Sequence, residues 1–397
     1  MDINKRVEGM TYAIREIVVN AREVEKEGHE VLKLNIGDPN KYDFDTPDFL
    51  KHALADAALG GNNYYGDSEG IPAVCEAIAN REKKYKNIDI APEQYLPTSG
   101  ASEGMNMVFA SLVGSGDNVV MPGPSYPLYI SLTTFYGGNP VEYRTIEEEG
   151  WQPDIDDIRS KVNENTKAIV VINPNNPTGA LYPEKLLKEI TDIAAENDVP
   201  IICDEIYDLI AFDRKFVSTA SLSDDVNFIV IGGLSKVYFA PGWRIGYMGF
   251  KGPDDEINKL KEACYKMARG RLSTNTPAQL ALKTAMESDH SYLNDYLPKL
   301  KERAKFSFKR LNEIEGISVT EAHGAMYMFP KIELESYKGR DKQFVLDLLK
   351  EKQVLTVHGS GFGEQYGGDH FRIVFLPPME TLENAFDKLE DFCKSKK

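Results

Sequence analysis

The chain is organised around one stretch, Gly233-Leu234-Ser235-Lys236-Val237-Tyr238-Phe239-Ala240-Pro241-Gly242-Trp243-Arg244-Ile245-Gly246-Tyr247. An apolar run at 228–231 precedes it and predicts a buried strand, and a second apolar segment follows at 245–250. Lys236 therefore lies between two predicted strands, where burying an ammonium group is costly. Such a placement favours an amine nucleophile that forms a Schiff base. From this stretch alone, a lysine that reaches into solvent from a strand end remains the alternative.

The composition indicates a globular protein with two domains. The chain has 397 residues, which is long for one ordinary hydrophobic core. Its hydrophobic content of 42% and charged content of 27% are typical of soluble proteins. The formal net charge of −16 argues against binding to nucleic acid or to an anionic membrane. We expect neither a signal peptide nor a membrane span, and the cysteines contain no C-x-x-C pair. We therefore expect a cytoplasmic protein with reduced thiols and no metal site.

From residue 93 onward, strand patterns alternate with helical patterns. The predicted strands are residues 94–98, 118–121, 141–144, 168–172, 200–203 and 228–231. The helical patterns between them include residues 103–112, 127–136 and 183–196. This alternation predicts an α/β fold with a mostly parallel central sheet between helices. Ligands of such sheets bind at the carboxyl ends of the strands.

The end of the chain has a different pattern, which predicts a smaller α+β domain. Strands are predicted at 324–330 and 371–378, and helices at 296–311, at 344–351 and from about residue 380. The N-terminal segment is expected to join this part. We predict a large domain at 46–286 and a discontinuous small domain formed by 1–45 and 287–397.

Small residues follow the first strand of the alternating region. Gly100, Ala101 and Ser102 precede an amphipathic helix, whose N-terminal N–H groups and dipole would attract a phosphate. Arg244, near the end of another strand, carries a guanidinium suited to the same anion. An ordinary helix N-cap would also explain the small residues.

The same segment also fits the nucleophile elbow of serine hydrolases. Residues 100–104 read G-x-S-x-G, which would make Ser102 a nucleophile. Asp204 and either His358 or His370 follow in the chain order that hydrolases of this type use. This alternative belongs to a different class of enzyme.

Three further residues follow successive strands and complete a pattern. Tyr126, held among prolines, would present an aromatic face that can stack on a ring. Asn176 would offer an amide donor from a loop between two prolines. Asp204 ends a buried strand, where a carboxylate needs a partner such as a protonated heterocyclic nitrogen. Together with Lys236 and the phosphate site, they predict binding of pyridoxal phosphate.

Four motifs carry a resemblance to a known family. They are N-P-N-N-P-T-G (173–179), D-E-I-Y (204–207), G-L-S-K-V-Y (233–238) and G-W-R-I-G-Y (242–247). The chain resembles the class I, fold type I, pyridoxal-phosphate aminotransferases along essentially its whole length. Segments 12–15, 34–39, 64–70, 271–279 and 371–372 most resemble the microbial alanine aminotransferases. The resemblance implies the fold type I architecture and a homodimer with active sites at the interface.

The resemblance also implies roles around the cofactor ring. Lys236 would hold the cofactor as a Schiff base and then move the substrate's α-proton. Asp204 would keep the pyridine nitrogen protonated. Asn176 and Tyr207 would bond the ring's 3-oxygen, and Tyr126 would stack on the ring.

Other implied contacts concern the phosphate and the substrate. The residues expected to hold the phosphate are Gly100, Ala101, Ser102, Ser235 and Arg244, with Tyr65 contributed by the partner subunit. Ser235 takes this role because Gly233 occupies the position at which many relatives have serine. Arg372 would pair with the substrate α-carboxylate. The remaining residues expected near the substrate are Gly37, Asn176, Tyr12 and Arg15.

The sequence thus predicts a ping-pong aminotransferase acting on L-alanine and 2-oxoglutarate and yielding pyruvate and L-glutamate. It offers no clear counterpart of the second arginine that aspartate-specific relatives use, although Arg15 could accommodate the second carboxylate of glutamate. Aspartate or broad amino-acid specificity remains an alternative. A hydrolase using Ser102 and a noncatalytic cofactor-binding regulator are alternatives from other classes.

Overall fold

The computed structural model describes residues 4–8, 10, 13–253 and 255–396. The α-helices in these ranges are α1 (Lys5–Glu8), α2 (Ala13–Lys26), α3 (Asp48–Leu59), α4 (Pro72–Lys86), α5 (Ala101–Leu112), α6 (Pro127–Phe135), α7 (Ile155–Lys161), α8 (Glu184–Asn197), α9 (Asp255–Gly270), α10 (Thr276–Glu287), α11 (Leu293–Asn312), α12 (Asp341–Lys352), α13 (Glu364–Gly367) and α14 (Met379–Ser395). Within the described residues, none of these helices is both long and apolar enough to cross a bilayer.

The strands alternate with the helices through most of the chain. They are β1 (Leu32–Lys33), β2 (Tyr95–Thr98), β3 (Asn118–Gly123), β4 (Asn139–Ile146), β5 (Gln152–Pro153), β6 (Thr166–Ile172), β7 (Ile201–Asp204), β8 (Phe228–Gly233), β9 (Gly246–Lys251), β10 (Ile317–Ser318), β11 (Tyr327–Met328), β12 (Lys331–Ile332), β13 (Val354–Leu355), β14 (Val357–His358) and β15 (Phe371–Val374). The central sheet has the order β2-β9-β8-β7-β6-β3-β4-β5. Its strands β4, β3, β6, β7 and β8 are parallel, whereas β9 pairs antiparallel with both β2 and β8.

Alternate residues of the central strands face two different apolar clusters. Ile202 and Ile229 pack in the cluster formed with α5, α6 and α9. Ile201, Cys203 and Val230 pack in the cluster formed with α4, α8 and α10. Because side chains alternate along a strand, consecutive residues at a strand end serve opposite faces of the sheet.

The predicted α/β fold with a mostly parallel sheet is confirmed. The six predicted strands of the central sheet coincide with β2, β3, β4, β6, β7 and β8 to within a few residues, and Asp204 is the last residue of β7 instead of the first residue after it. The strands predicted at 324–330 and 371–378 are shorter in the structure, at Tyr327–Met328 and Phe371–Val374. Helix α4 was not predicted, because the buried charged residues of its last turns conceal its apolar face. The division into domains at 46–286 stays a prediction.

Candidate active site

A cavity of about 480 Å³ opens at the carboxyl ends of β3, β6 and β7 and beside the segments that follow β2 and β8. Its lining residues are Ile14, Arg15, Ile36, Gly37, Asp38, Ala101, Ser102, Met105, Tyr126, Ile172, Asn176, Asp204, Ile206, Tyr207, Ser235, Lys236, Pro241, Gly242, Arg244, Tyr327 and Arg372. Most of the predicted site residues thus meet in one cavity, although they come from distant parts of the chain.

Lys236 follows β8 and is half-buried in the wall of this cavity. Its Nζ donates a hydrogen bond of 2.5 Å to the carbonyl oxygen of Gly37. Gly37 itself has no room for a side chain, because a Cβ there would collide with the Tyr327 ring. The backbone at Gly37 can therefore lie close to the lysine and to a ligand beside it.

Asp204 is a buried carboxyl group with neutral hydrogen-bond partners. Its Oδ2 accepts a hydrogen bond of 3.0 Å from the Tyr129 hydroxyl, and its Oδ1 accepts one of 3.3 Å from the Ile206 amide. Burial raises the pKa of Asp204 to about 6, while Tyr129, the Ile206 amide, Lys86 and Lys236 oppose that shift. No lysine or arginine in the described ranges forms an ion pair with it. A cationic ligand atom in the cavity would therefore stabilise the ionised carboxylate.

Arg372 is held firmly in the cavity wall although its side chain is almost completely buried. Its Nη1 donates a hydrogen bond of 3.0 Å to Asn176 Oδ1, and its Nη2 donates to the carbonyl oxygen of Asn35. The guanidinium carbon lies 4.5 Å from the centre of the Tyr327 ring and 4.8 Å from that of Phe362. A planar guanidinium fixed in this way is suited to bidentate contact with a carboxylate.

The three asparagines of the loop after β6 have different roles: two hold the loop and one lines the cavity. Asn173 Oδ1 accepts a hydrogen bond of 2.9 Å from the Tyr182 amide. Asn175 Oδ1 accepts hydrogen bonds from the Thr178 amide and hydroxyl. These contacts hold the loop, while Asn176 lines the cavity. Since its carbonyl oxygen is occupied by Arg372, the NH₂ group of Asn176 is the part that can donate to a ligand.

Tyr207 extends the polar wall through a second tyrosine. Its hydroxyl is 2.8 Å from that of Tyr327, and the rings are perpendicular with centres 5.8 Å apart. Burial and the neighbouring Tyr327 hydroxyl raise the pKa of Tyr207 well above its usual range. The hydroxyl is therefore a neutral hydrogen-bond donor or acceptor at physiological pH.

The N-terminus of α5 forms the anion-binding corner of the cavity. Ala101 and Ser102 begin this helix, and Gly100 before them has a positive φ of 78°. A Cβ on Gly100 would lie 2.5 Å from Arg244 Nη2, so only glycine allows the guanidinium to approach here. Ser235 lines the cavity as well. Free helix N–H groups beside a guanidinium and two hydroxyls are suited to a phosphate.

Some predicted site residues lie outside this arrangement. Gly100 adjoins the cavity through Arg244 but does not line it. Tyr65 is 81% exposed, so its own chain buries little of its side chain. Tyr12 lies outside the described residues, while its neighbour Arg15 lines the cavity from α2. The roles assigned to all of these residues stay predictions.

The sequence did not point to two side chains that shape the site. Tyr327 contacts both Tyr207 and Arg372, yet it belongs to an apolar segment that reads as a core strand. Tyr129 bonds Asp204 from within a short apolar helix. Their contacts arise from chain segments far apart in sequence, and no local pattern could have identified them.

The hydrolase alternative receives no support from the geometry. Ser102 lines the cavity, but His358 contacts the Ser360 hydroxyl at 2.9 Å and His370 lies 3.3 Å from Glu147. Neither histidine is among the residues that line the cavity in the described part of the chain. Asp204 bonds a tyrosine instead of a histidine.

A comparison with known families agrees with the site. The family model for aminotransferases of class I and II matches residues 29–389. The chain belongs to this family. As an aminotransferase, it moves an amino group between an amino acid and a 2-oxo acid.

Individual aminotransferases are similar over nearly the whole chain. An alanine aminotransferase of Mycobacterium bovis is 38% identical, covering 98% of this chain and 92% of the relative. A glutamate-pyruvate aminotransferase of Escherichia coli is 37% identical, with coverages of 98% and 97%. The solved structure of an alanine aminotransferase from Pyrococcus furiosus superposes with a TM-score of 0.97 at 53% identity, covering 99% of this chain and 100% of the other.

Proposed function

We propose that this aminotransferase binds pyridoxal phosphate and transfers the amino group of L-alanine to 2-oxoglutarate. The observation that carries the proposal is that Lys236, Asp204 and Arg372 line one cavity of about 480 Å³. These side chains supply an amine, a buried acid and a carboxylate-binding guanidinium. The names of the similar proteins from Mycobacterium bovis and Pyrococcus furiosus support alanine as the amino donor.

The residues of the cavity fit the cofactor. Asp204 is a buried carboxylate without a cationic side chain in ion-pair contact in the described ranges, and a protonated pyridine nitrogen would supply that charge. The Arg244 guanidinium, which packs against Gly100, suits the phosphate together with Ser102, Ser235 and the α5 N-terminus. Tyr126 offers an aromatic face, and Asn176 with Tyr207 offers hydrogen bonds to a ring oxygen. When bound, pyridoxal phosphate would supply a ring that accepts the electron pair of the substrate's α-carbon.

The protein's own residues would perform the remaining steps. Arg372 would bind the substrate α-carboxylate and orient the Cα–H bond toward Lys236. Lys236 Nζ would take that proton from the substrate Cα and deliver it to C4′ of the cofactor, which leads to the 2-oxo acid. Asp204 would stay ionised and hold a proton on the pyridine nitrogen. Arg15, on the exposed side of the cavity, would contact the second carboxylate of 2-oxoglutarate.

The choice of amino donor can be measured in a half-reaction. We expect the visible absorption of the bound cofactor to disappear at a lower concentration of L-alanine than of L-aspartate when no keto acid is present. A difference of about tenfold or more corresponds to at least roughly 1.4 kcal/mol of discrimination. The reverse order would assign aspartate as the donor and leave the cofactor chemistry intact. A colourless protein that cannot be reconstituted with pyridoxal phosphate would contradict the role of Lys236.

Asp204 gives a prediction about pH and stability. Its pKa in the folded protein is about 6, above the ordinary value of 3.8, so the folded state binds the proton more tightly. The free energy of unfolding of the cofactor-free protein therefore falls by roughly 3 kcal/mol as the pH rises from below about 4 to above about 6. In Asp204→Asn this loss of stability should be absent, because the buried amide does not ionise. The amide can still form hydrogen bonds with Tyr129 and Ile206. We expect the cofactor-free variant to melt at a higher temperature than the wild type at about pH 7, but not at about pH 4.

The same substitution should act oppositely on cofactor binding. Wild-type affinity for pyridoxal phosphate should fall as the pH drops below about 6, because Asp204 must release a proton to pair with the ring. In Asp204→Asn the contribution of this carboxyl group to the pH dependence should be lost, leaving that of the cofactor phosphate, and the affinity should be lower at neutral pH. Equal thermal stability of the two cofactor-free proteins at both pH values would contradict the burial argument.

We also propose a cytoplasmic homodimer in which Tyr65 of each subunit reaches the phosphate of the other. Support comes from the exposed large side chains of the segment 59–65, in which Leu59 is 87%, Tyr64 61% and Tyr65 81% accessible in the single chain. Side chains of this kind are typical of surfaces that a partner covers. The cysteines are buried and none is in a disulfide, which agrees with a reducing compartment.

A further inference from the structure

A cluster of five charged side chains lies behind the cavity, on the opposite face of the sheet from α5. The cluster consists of Arg81, Glu82, Lys86, Glu205 and Asp208. Each side chain is at most 4% exposed. Three come from the last turns of α4, and two come from the segment that follows β7. We call this set the buried ionic cluster.

The buried ionic cluster is closely connected. Lys86 Nζ lies 3.1 Å from Glu82, 3.2 Å from Glu205 and 3.1 Å from Asp208. Arg81 pairs with Glu82 at 2.7 Å and also with Asp208. Burial opposes ionisation of Asp208, but Arg81 and Lys86 hold its pKa well below the usual range. Breaking such a buried network by removing one partner is costly, so its members constrain one another's positions.

The two acids after β7 link the cluster to the cavity. Glu205 directly follows Asp204, and Asp208 directly follows Tyr207. Asp204 and Tyr207 line the cavity, whereas Glu205 and Asp208 pair with Lys86. Asp204 ends β7, so the next residue, Glu205, faces the opposite side of the sheet. Tyr207 and Asp208 lie in the turn that follows β7, where their side chains also point to different sides. The pairing of α4 with these two acids therefore constrains the backbone beside Asp204 and Tyr207.

Two tyrosines link the same cluster to Lys236. The Tyr247 hydroxyl donates a hydrogen bond of 2.8 Å to Glu82, and its ring fills the space beside Gly232, where a Cβ would collide. Gly232 lies four residues before Lys236. Tyr238, two residues after Lys236, is 2.7 Å from His290 and has Arg81 near its hydroxyl. The chain is thus anchored to the cluster on both sides of the lysine.

We propose that the buried ionic cluster is a positioning device that sets Asp204, Tyr207 and Lys236 relative to one another, with Asp208 and Lys86 at its centre. The inference rests on the proposed function, in which these three residues contact the cofactor. None of the cluster's members lines the cavity. Their effect on the reaction is exerted through the residues next to them in the chain, by keeping distances that catalysis requires.

Asp208→Asn is the test that disturbs the packing least. It is nearly isosteric, and Leu209, whose amide donates to Asp208 Oδ1 at 2.9 Å, keeps its acceptor. The remaining side chains are two cations and two carboxyl groups, and burial raises the pKa of one of them, Glu205, to about 7 against the effect of Lys86. Tyr247→Phe is a second, milder variant that removes only the hydroxyl bonded to Glu82. Leu389→Ala, a buried position on α14, is the control for a general loss of stability.

The readout is the pH titration of the visible absorption of each loaded protein, together with kcat and KM. If Asp204 or Lys236 is displaced, the distribution of charge around the cofactor changes. We therefore expect Asp208→Asn and Tyr247→Phe each to shift the titration midpoint by about half a pH unit or more. Their kcat should fall about tenfold while KM changes much less. Leu389→Ala should lower the melting temperature without moving the midpoint.

The outcomes separate this inference from the proposed function. The positioning role would be overturned if Asp208→Asn and Tyr247→Phe had the same titration midpoint as the wild type. It would also be overturned if Leu389→Ala shifted the midpoint by as much as they do. If Asp208→Asn does not fold, Tyr247→Phe decides by the same criteria. A wild-type protein that develops no cofactor absorption would contradict the proposed function itself, and the positioning role with it.

Discussion

Replacing Lys236 with alanine is expected to lower kcat by about 10⁴-fold or more, because the variant lacks the amine that we propose bonds the cofactor and moves the α-proton. The structure places no second lysine among the residues lining the cavity in the described ranges, so no other amine is close enough to replace it. Binding of pyridoxal phosphate should persist noncovalently, since the residues expected around its ring and phosphate are unchanged.

The measurement combines turnover with a chemical test of attachment. Reduction with borohydride followed by mass spectrometry should show the cofactor fixed to Lys236 in the wild type and no fixed cofactor in Lys236→Ala. Lys215→Ala, at an exposed position on another loop, serves as the matched lysine control and should behave like the wild type. Normal turnover in Lys236→Ala would contradict the assignment of the active site.

Arg372→Ala is expected to reduce kcat/KM by at least about 150-fold, on the order of 3 kcal/mol of transition-state stabilisation. Arg372 is held by Asn176 and Asn35 and lies between the Tyr327 and Phe362 rings, so its guanidinium is oriented before a substrate arrives. Every amino acid and 2-oxo acid substrate carries the carboxylate that it would bind. The loss should therefore be similar for alanine, pyruvate, glutamate and 2-oxoglutarate.

Two companion variants make this second prediction specific. Arg372→Lys keeps the charge but loses the planar pair of donors, and it should recover only part of the activity. Arg15→Ala should affect glutamate and 2-oxoglutarate and spare alanine and pyruvate, because Arg15 is proposed to contact only a second carboxylate. Circular dichroism would first establish that Arg372→Ala is folded. A near-normal kcat/KM of the folded variant would then reject the α-carboxylate role.

Much of the central fold could be predicted from the sequence because its signals are local. The buried strands β6, β7 and β8 are continuous apolar runs, and small or proline-rich turns mark where they end. Since ligands of parallel sheets bind at the carboxyl ends of the strands, it could be predicted that Asn176, Asp204 and Lys236 line one site. Helix α4 was missed because its last turns carry charged residues, a pattern that normally indicates a solvent-exposed surface.

By itself, the sequence determined many of the polar residues that this aminotransferase brings to its cavity, although not Tyr327, since motif spacing and strand periodicity are properties of short segments. Only the tertiary structure decided what those residues contact. Tyr129 reaches Asp204 across 75 residues of chain, and Arg372 reaches Asn176 across 196. Only folding, too, turned Lys86 and Asp208 from apparent surface charges into buried partners. Such contacts depend on how helices and strands pack, and packing between distant segments leaves no pattern in a single stretch of sequence.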